Sequence, residues 1–328
     1  MNGIIRNFID KNLSLLRLGE NYLNKLVAGL IEAGRTISYI ETYNPVQSDL
    51  FHKEIKYSDK KLFMKSFEEL TRKLLPKLKL ENVKVAFDTT EDLTWIKPHH
   101  SLRPSTKKHE LQSWQFLNLS IVEPYFIPLM SIPYTMLDNL DYLVMNLVGY
   151  LESLTLNVKL ILFDRGFYHA HLIDFLNSKN LPYLMLVPRT STVKSYIEQT
   201  KYFKSFQHKF IYTKEKSEWE TYTTIIVRRI DENICWSYAT NQKPCLWLTR
   251  QYKKRWNIET GFRIHDEVKI KSKSKNILIR FFYHLLGMLI VFIWRLELTK
   301  RKIVFKRFLR EMEKFYSTRI IIPPPPPL

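Results

Sequence analysis

The sequence predicts an α/β fold: a mixed sheet with flanking helices, preceded by a helical region. Three features predict it. Apolar residues recur at helical spacing through the N-terminal region, short apolar and β-branched runs alternate with amphipathic stretches from Asn82 onward, and two of those runs each close on an aspartate, Asp88 and Asp164.

Near the N-terminus, Leu23, Leu26, Val27, Leu30 and Ile31 share one helical face, as do Phe63, Phe67, Leu70 and Leu74, with lysines and arginines opposite. Gly34 and Tyr43-Asn44-Pro45 interrupt the pattern, and Pro76 to Leu80 reads as a connector. Val83 to Phe87 is then a strand and Asp92 to Ile96 a short second one. Gln112 to Val122 and Tyr125 to Ile132 form a hairpin around Glu123-Pro124, with Pro128 and Pro133 marking its second strand as an edge. Leu137, Leu140, Val144, Leu147, Val148 and Leu151 mark an amphipathic helix. Val158 to Phe163 is a strand, His171 to Asn177 a helix, and Tyr183 to Val187 a strand stopped by Pro188. Residues 194–247 break this rhythm as a β-rich insertion of hairpins: Thr223 to Arg229, the turn Asp231-Glu232-Asn233, Ile234 to Ala239 and Leu246 to Thr249. Helical pattern resumes from Arg250 to about Lys269 and again from Ile277 to Leu298, followed by a basic tail and the run Pro323 to Pro327, which has no core to pack.

At 45% hydrophobic and 14% aromatic, the 328 residues can bury a core in two or three domains, which excludes a disordered polyelectrolyte. The net charge of +19 points to nucleic acid or an anionic membrane. Cys235 and Cys245 are the only cysteines and lack the histidine partners of a zinc site, so a reduced, cytoplasmic protein is expected. Residues 1–7 carry no signal-peptide apolar core. Ile277 to Leu298 contains Arg280, His284 and Arg295, and its uncharged centre is short for a bilayer span, so a buried core helix and no membrane association are expected.

A carboxylate at the end of a buried strand meets solvent at the sheet rim, where open α/β sheets bind ligands. Asp88 and Asp164 occupy such positions, and Glu259 lies in Gln251-Tyr252-Lys253-Lys254-Arg255-Trp256-Asn257-Ile258-Glu259, which reads as a helix. Three carboxylates held close repel unless cations lie between them. Two bridged divalent metals suit in-line attack at phosphorus. Arg255, Glu259 and Arg263 follow at i, i+4 and i+8 on one helix face, where an arginine can neutralise a DNA phosphate. Each residue also has a plainer role: a strand-end aspartate caps the next turn, Glu259 pairs with Arg255 or Arg263, and Tyr252 packs. The lysines at 269–275 are either a solvated face or a phosphate-contacting strip, the latter favoured by the basic surroundings. Trp95, Trp114 and Trp256 are expected in the core rather than stacked on a flipped base, and His99, His100, His169 and His171 are not expected to bind metal.

The element order resembles the DDE transposases of bacterial and archaeal insertion sequences, with an RNase H-like catalytic domain. Tyr252, Arg255 and Glu259 keep the first three residues of the YREK signature and the two spacings between them; Asp266 stands where its lysine would be, and Lys269 is the nearest substitute. Phe87-Asp88-Thr89-Thr90 and Phe163-Asp164-Arg165-Gly166-Phe167-Tyr168 resemble the two aspartate motifs, and the match covers residues 83–298.

The resemblance implies an RNase H-like mixed sheet with a β-rich insertion before the last catalytic helix. It implies a helical DNA-end-binding region at 1–80, a catalytic core at 81–193 and 248–299 around the insertion at 194–247, and a basic, Pro-rich tail at 300–328. Asp88, Asp164 and Glu259 would be catalytic and would hold two Mg2+ or Mn2+ ions. Tyr252, Arg255, Arg263, Lys269, Lys271, Lys273 and Lys275 would contact DNA. The protein would act at the nucleoid as a homodimer on transposon-end and target double-stranded DNA. A metal-dependent nuclease without strand transfer and a non-catalytic DNA-binding descendant remain as alternatives.

Overall fold

The computed structural model describes residues 2–13, 24, 26–28, 31, 48–99, 101–106, 108, 110–214, 217–232, 234–270, 272 and 274–319. In chain order the helices are α1 (Asn2–Asn12), α2 (Ser48–Tyr57), α3 (Lys60–Leu74), α4 (Leu140–Glu152), α5 (Ala170–Ser178), α6 (Ser191–Glu198), α7 (Leu246–Gln251), α8 (Trp256–Asp266), α9 (Ile277–Leu298) and α10 (Phe305–Ser317). The strands are β1 (Val83–Thr94), β2 (Arg103–Pro104), β3 (Gln112–Glu123), β4 (Ile127–Tyr134), β5 (Val158–Phe163), β6 (Tyr183–Leu186), β7 (Phe203–Lys214), β8 (Ser217–Arg229) and β9 (Cys235–Thr240). The chain divides into two compact units: Met1–Lys79 with Thr94–Ile96 and Gly261–Leu328, and Leu80–Leu93 with Lys97–Thr260.

The first unit is helical. Helix α9 is apolar on every face because protein surrounds it: Phe282 packs on Phe8 of α1, Phe51 of α2 and Phe63 of α3 at ring separations of 5.5 to 5.8 Å. It is long and apolar enough to cross a membrane, yet it lies buried within this unit. Asn276 caps its start through the amides of Leu278 and Ile279. Gly287 lets the His265 ring come close; a Cβ there would lie 2.8 Å from the ring. The expected helix positions Leu23 and Leu30, the breaks at Gly34 and 43–45, and the Pro323 to Pro327 run lie outside the described residues.

The second unit is built on one mixed sheet in the order β2-β3-β1-β5-β6-β9-β8-β7, with β4 paired to β3. β1, β5 and β6 run parallel, as buried, continuously apolar strands do when helices cover them. The β3–β4 hairpin forms as expected, and β4, carrying Pro128 and Pro133, pairs only with β3 among the described strands. Several details differ from the sequence reading: Phe305–Ser317 of the expected basic tail form α10, and α6 (Ser191–Glu198) occupies the start of the expected β-rich insertion. β1 runs unbroken to Thr94, taking in the short strand expected at Asp92. Leu246 to Thr249 is helical, because Cys245 caps α7 with its sulfur facing the Leu248 amide at 3.4 Å. The helix expected from Arg250 to Lys269 is broken: α7 passes through a 3-10 turn at Tyr252–Arg255 into α8, which ends at Asp266. The β7–β9 strands of residues 194–247 extend the main sheet through β9 on β6.

Candidate active site

Registration of β1 against β5 sets the site. The pairing places Ala86 beside Leu162. One residue on, Phe87 and Phe163 stack with ring centres 5.1 Å apart and planes 7° from parallel, both fully buried. Side chains alternate across a strand, so the next residues, Asp88 and Asp164, share the opposite face on adjacent strands, where backbones run about 4.8 Å apart. The aromatic stack on one face thus fixes the carboxylates on the other.

The 3-10 turn and the start of α8 lie against this pair. Arg255, whose side chain is 9% exposed, reaches Glu259 Oε1 at 2.9 Å and Asp88 Oδ2 at 3.5 Å. Tyr252 is buried, stands 5.6 Å from the Arg255 guanidinium, and donates its hydroxyl to Asp164 Oδ1 at 3.4 Å. Both aspartates also accept from the following backbone amide, Thr89 at 2.9 Å and Arg165 at 2.8 Å. Of the plainer roles expected, Asp164 caps the turn at Arg165–Phe167, Glu259 pairs with Arg255 and Tyr252 packs, whereas Asp88 lies inside β1, which runs on to Thr94, and caps no turn.

Electrostatics follow the packing. Burial pushes the Asp88 carboxyl up to about 6; Arg255 and the Thr89 amide oppose that shift, and Asp164 and Glu259 reinforce it. Burial disfavours the Arg255 charge, but Tyr252 and the three carboxylates outweigh it and hold the guanidinium above its ordinary value. Burial raises the Tyr252 phenol well above its usual range, so it remains a hydrogen-bond donor.

The donor set is three carboxylates, the hard oxygen ligands that magnesium and manganese take. Asp88, held buried among like charges, is a group whose ionised form a cation would stabilise. Among the described residues no three acidic, histidine or cysteine groups yet converge at metal-binding distance. Arg255 bridges Asp88 and Glu259, and the Glu259 side chain is 55% exposed. The donor chemistry fits a divalent cation; the geometry requires Glu259 to turn from Arg255 toward the aspartates.

Arg263 is exposed, Lys269 half-buried and Lys275 exposed, all in the helical unit, and Lys271 and Lys273 lie outside the described residues. His169 is occupied by Asp141, whose hydrogen bond at 2.8 Å raises its pKa, and His171 packs on Tyr142 and Trp219. His99 accepts from the Ser101 amide, and His100 lies outside the described residues. Trp114 is in the core as expected, whereas Trp95 and Trp256 are 82% and 54% exposed.

Sequence reasoning missed two features. Lys84, on the Asp88 face of β1, binds Glu123 and donates to Gln251 Oε1 at 2.7 Å, while Lys254 reaches Glu123 at 3.0 Å. This clasp, with Asn257 donating to the Val122 carbonyl at 2.8 Å, ties the 252–259 segment to the sheet. A lysine inside an apolar strand was its only signal. Beside Tyr252 lies a cavity of about 360 Å3 lined by Trp236, Tyr238, Trp256, Arg228 and Lys253 among others. Its walls come from β8, β9 and the α7–α8 turn, a juxtaposition that no linear spacing reveals.

Residues 146–294 match the protein family described as the transposase DDE domain. Over that span the chain is similar to DDE transposase domains. The matched span includes Asp164 and Glu259 and begins beyond Asp88. The fold is also similar to that of piggyBac transposase in a cryo-EM structure of its synaptic complex with hairpin DNA, with a TM-score of 0.58 and 11% identity over 98% of this chain and 80% of that one. At that identity the likeness is one of fold, and it agrees with a mixed sheet flanked by helices. No curated protein sequence matches the chain.

Proposed function

We propose that this chain is a transposase of the YREK-signature group that cuts double-stranded DNA at transposon ends and joins the 3′-hydroxyl to target DNA, with Asp88, Asp164 and Glu259 as its catalytic carboxylates. The observation that carries the reading is that Asp88 and Asp164 each lie two residues beyond the Ala86–Leu162 pair of parallel strands β1 and β5, with the Tyr252–Arg255–Glu259 segment bonded to them. The three carboxylates would hold two divalent cations, Mg2+ or Mn2+. When bound, such ions activate the attacking water or hydroxyl and stabilise the leaving oxygen.

The protein's own groups have separate tasks. Tyr252 fixes Asp164 through its hydroxyl. Arg255, now paired with Glu259 and Asp88, would be placed to offer its guanidinium to the phosphate beside the scissile bond. Exposed Trp256, at the mouth of the aromatic cavity, offers a ring for a nucleobase to stack on. Arg263, Lys269, Lys271, Lys273 and Lys275 contact the DNA backbone, and residues 1–80 contribute to recognition of the transposon end. The protein works as a homodimer at the nucleoid.

The test is cleavage and joining of a DNA substrate bearing the sequences that flank the coding region. Asp88→Asn, Asp164→Asn and Glu259→Gln should each lose cleavage by orders of magnitude while folding and binding DNA. Activity within tenfold of wild type in any one of them removes that residue from the catalytic set. Cleavage without any joined product would make the protein a nuclease rather than a transposase.

A further inference from the structure

We propose that the outward face of α10 is a second phosphate-binding surface, one that lies in the helical unit and grips a DNA backbone through Lys306, Arg310 and Lys314. It rests on DNA being the partner, as proposed above, but on none of the catalytic residues. The three cations are exposed and follow at i, i+4 and i+8, so they form one row along the helix. At 1.5 Å rise per residue the row has a cation about every 6 Å and runs about 12 Å. One DNA strand presents a phosphate about every 3.4 Å along its axis, so the row spans three or four phosphates.

Two neighbouring arginines show what a satisfied cation looks like here. Arg301 and Arg307 both bind Glu311, at 2.6 and 3.0 Å. Lys306, Arg310 and Lys314 form no ion pair among the described residues, although half-buried Glu313 flanks the row. A row with no enclosing cavity suits a polyanion rather than a small anion.

The same helix argues against a bilayer as the partner. An interfacial helix puts its apolar face into the lipid. On α10 that face, Phe305, Phe308, Met312 and Tyr316, is buried in the protein, with Trp294 against Phe305 at 5.1 Å and its indole donating to the Ile303 carbonyl at 2.9 Å. Only the cationic side remains to meet a partner.

The experiment is a salt titration of full-chain binding to mixed-sequence duplex DNA, without divalent metal so that cleavage plays no part. Each phosphate contact contributes about 0.9 to the log–log slope, so Lys306→Gln, Arg310→Gln and Lys314→Gln together should flatten it by about 2 to 3. Lys306→Arg with Lys314→Arg should leave it as in wild type. An unchanged slope in the triple variant, with a native melting curve, overturns the proposal. So does a wild-type chain that binds no duplex. If the triple variant does not fold, Arg310→Gln alone decides, by a slope change of about 1 or none. If the triple variant loses binding to phosphatidylserine vesicles while its DNA slope is unchanged, the surface belongs to a membrane and the proposal falls. A chain that shows the expected slope change but cuts no DNA keeps this surface and loses the transposase reading.

Discussion

Replacing Arg255 by alanine should produce a stability loss that grows with pH. The side chain joins two unlike partners. Its contact with Glu259 is with a carboxylate 55% exposed, and such i,i+4 pairs contribute about 0.3–0.5 kcal/mol. Its contact with Asp88 is with a carboxylate only 18% exposed. Removing the partner of a buried charge destabilises by about 3–5 kcal/mol if the charge must remain. Asp88 has an escape: its pKa stands at about 6, so taking up a proton at pH 7 requires only about 1.4 kcal/mol. The loss from Arg255→Ala at pH 7 should therefore be held near 2 kcal/mol. At pH 8.5 protonation requires roughly 3.4 kcal/mol, and the loss should climb toward the uncompensated limit. Chemical denaturation of both proteins from pH 6 to 9 measures this directly. In an Asp88→Asn background the pH-dependent part of the loss should vanish and leave the Glu259 part. A loss that is constant across this range, or unchanged by Asp88→Asn, would refute the account of Arg255 as the countercharge of a strained aspartate.

Two further expectations follow from the same site. Asp88 is an acid whose folded pKa lies above its unfolded value, so the folded state binds more protons between about pH 4 and 6, and its contribution to stability is lost as pH rises through that window; the pH-dependent difference between wild type and Asp88→Asn should reach about 3 kcal/mol, and magnesium at pH 7 should raise the wild-type melting temperature but not that of Asp88→Asn. Phe163→Ala should destabilise by about 3–5 kcal/mol, because its fully buried ring packs on both Phe87 and Phe167; equilibrium unfolding with a loss below about 1 kcal/mol would show that the stack does not hold the aspartates in register.

Much of the architecture was legible because it depends on period and on local stop signals. Strand β5 and helix α9 have the bounds read from their apolar runs, since a run inside a sheet and a helix enclosed by helices need no long-range information to be recognised. The Leu246–Thr249 stretch was not legible: four residues are too few to distinguish periods of two and 3.6, and a cysteine cap lies outside the usual capping residues. Exposure of Trp95 and Trp256 was hidden for a related reason, because the aromatic content of a sequence says nothing of which rings the sheet leaves uncovered.

The candidate site divides along the same line. The two aspartates after apolar runs and the Tyr-Arg-Glu spacing are local features; the structure links them through Tyr252 to Asp164 and through Arg255 to Asp88 and Glu259, with Asp88 inside β1 rather than at its end. What the sequence did not carry is the tension between them. Phe87 and Phe163 anchor β1 and β5 in the core, and that anchoring forces Asp88 into an environment that disfavours its charge. Arg255 relieves the strain only in part, since burial opposes its own charge as well. A carboxylate left above its ordinary pKa beside two others retains affinity for any cation able to approach more closely than a guanidinium at 3.5 Å. Had Arg255 neutralised Asp88 fully, a divalent ion would gain little by displacing it. The incomplete pairing would leave the proposed site able to exchange its built-in arginine for divalent ions, and the pH dependence of Arg255→Ala reports directly on how incomplete that pairing is.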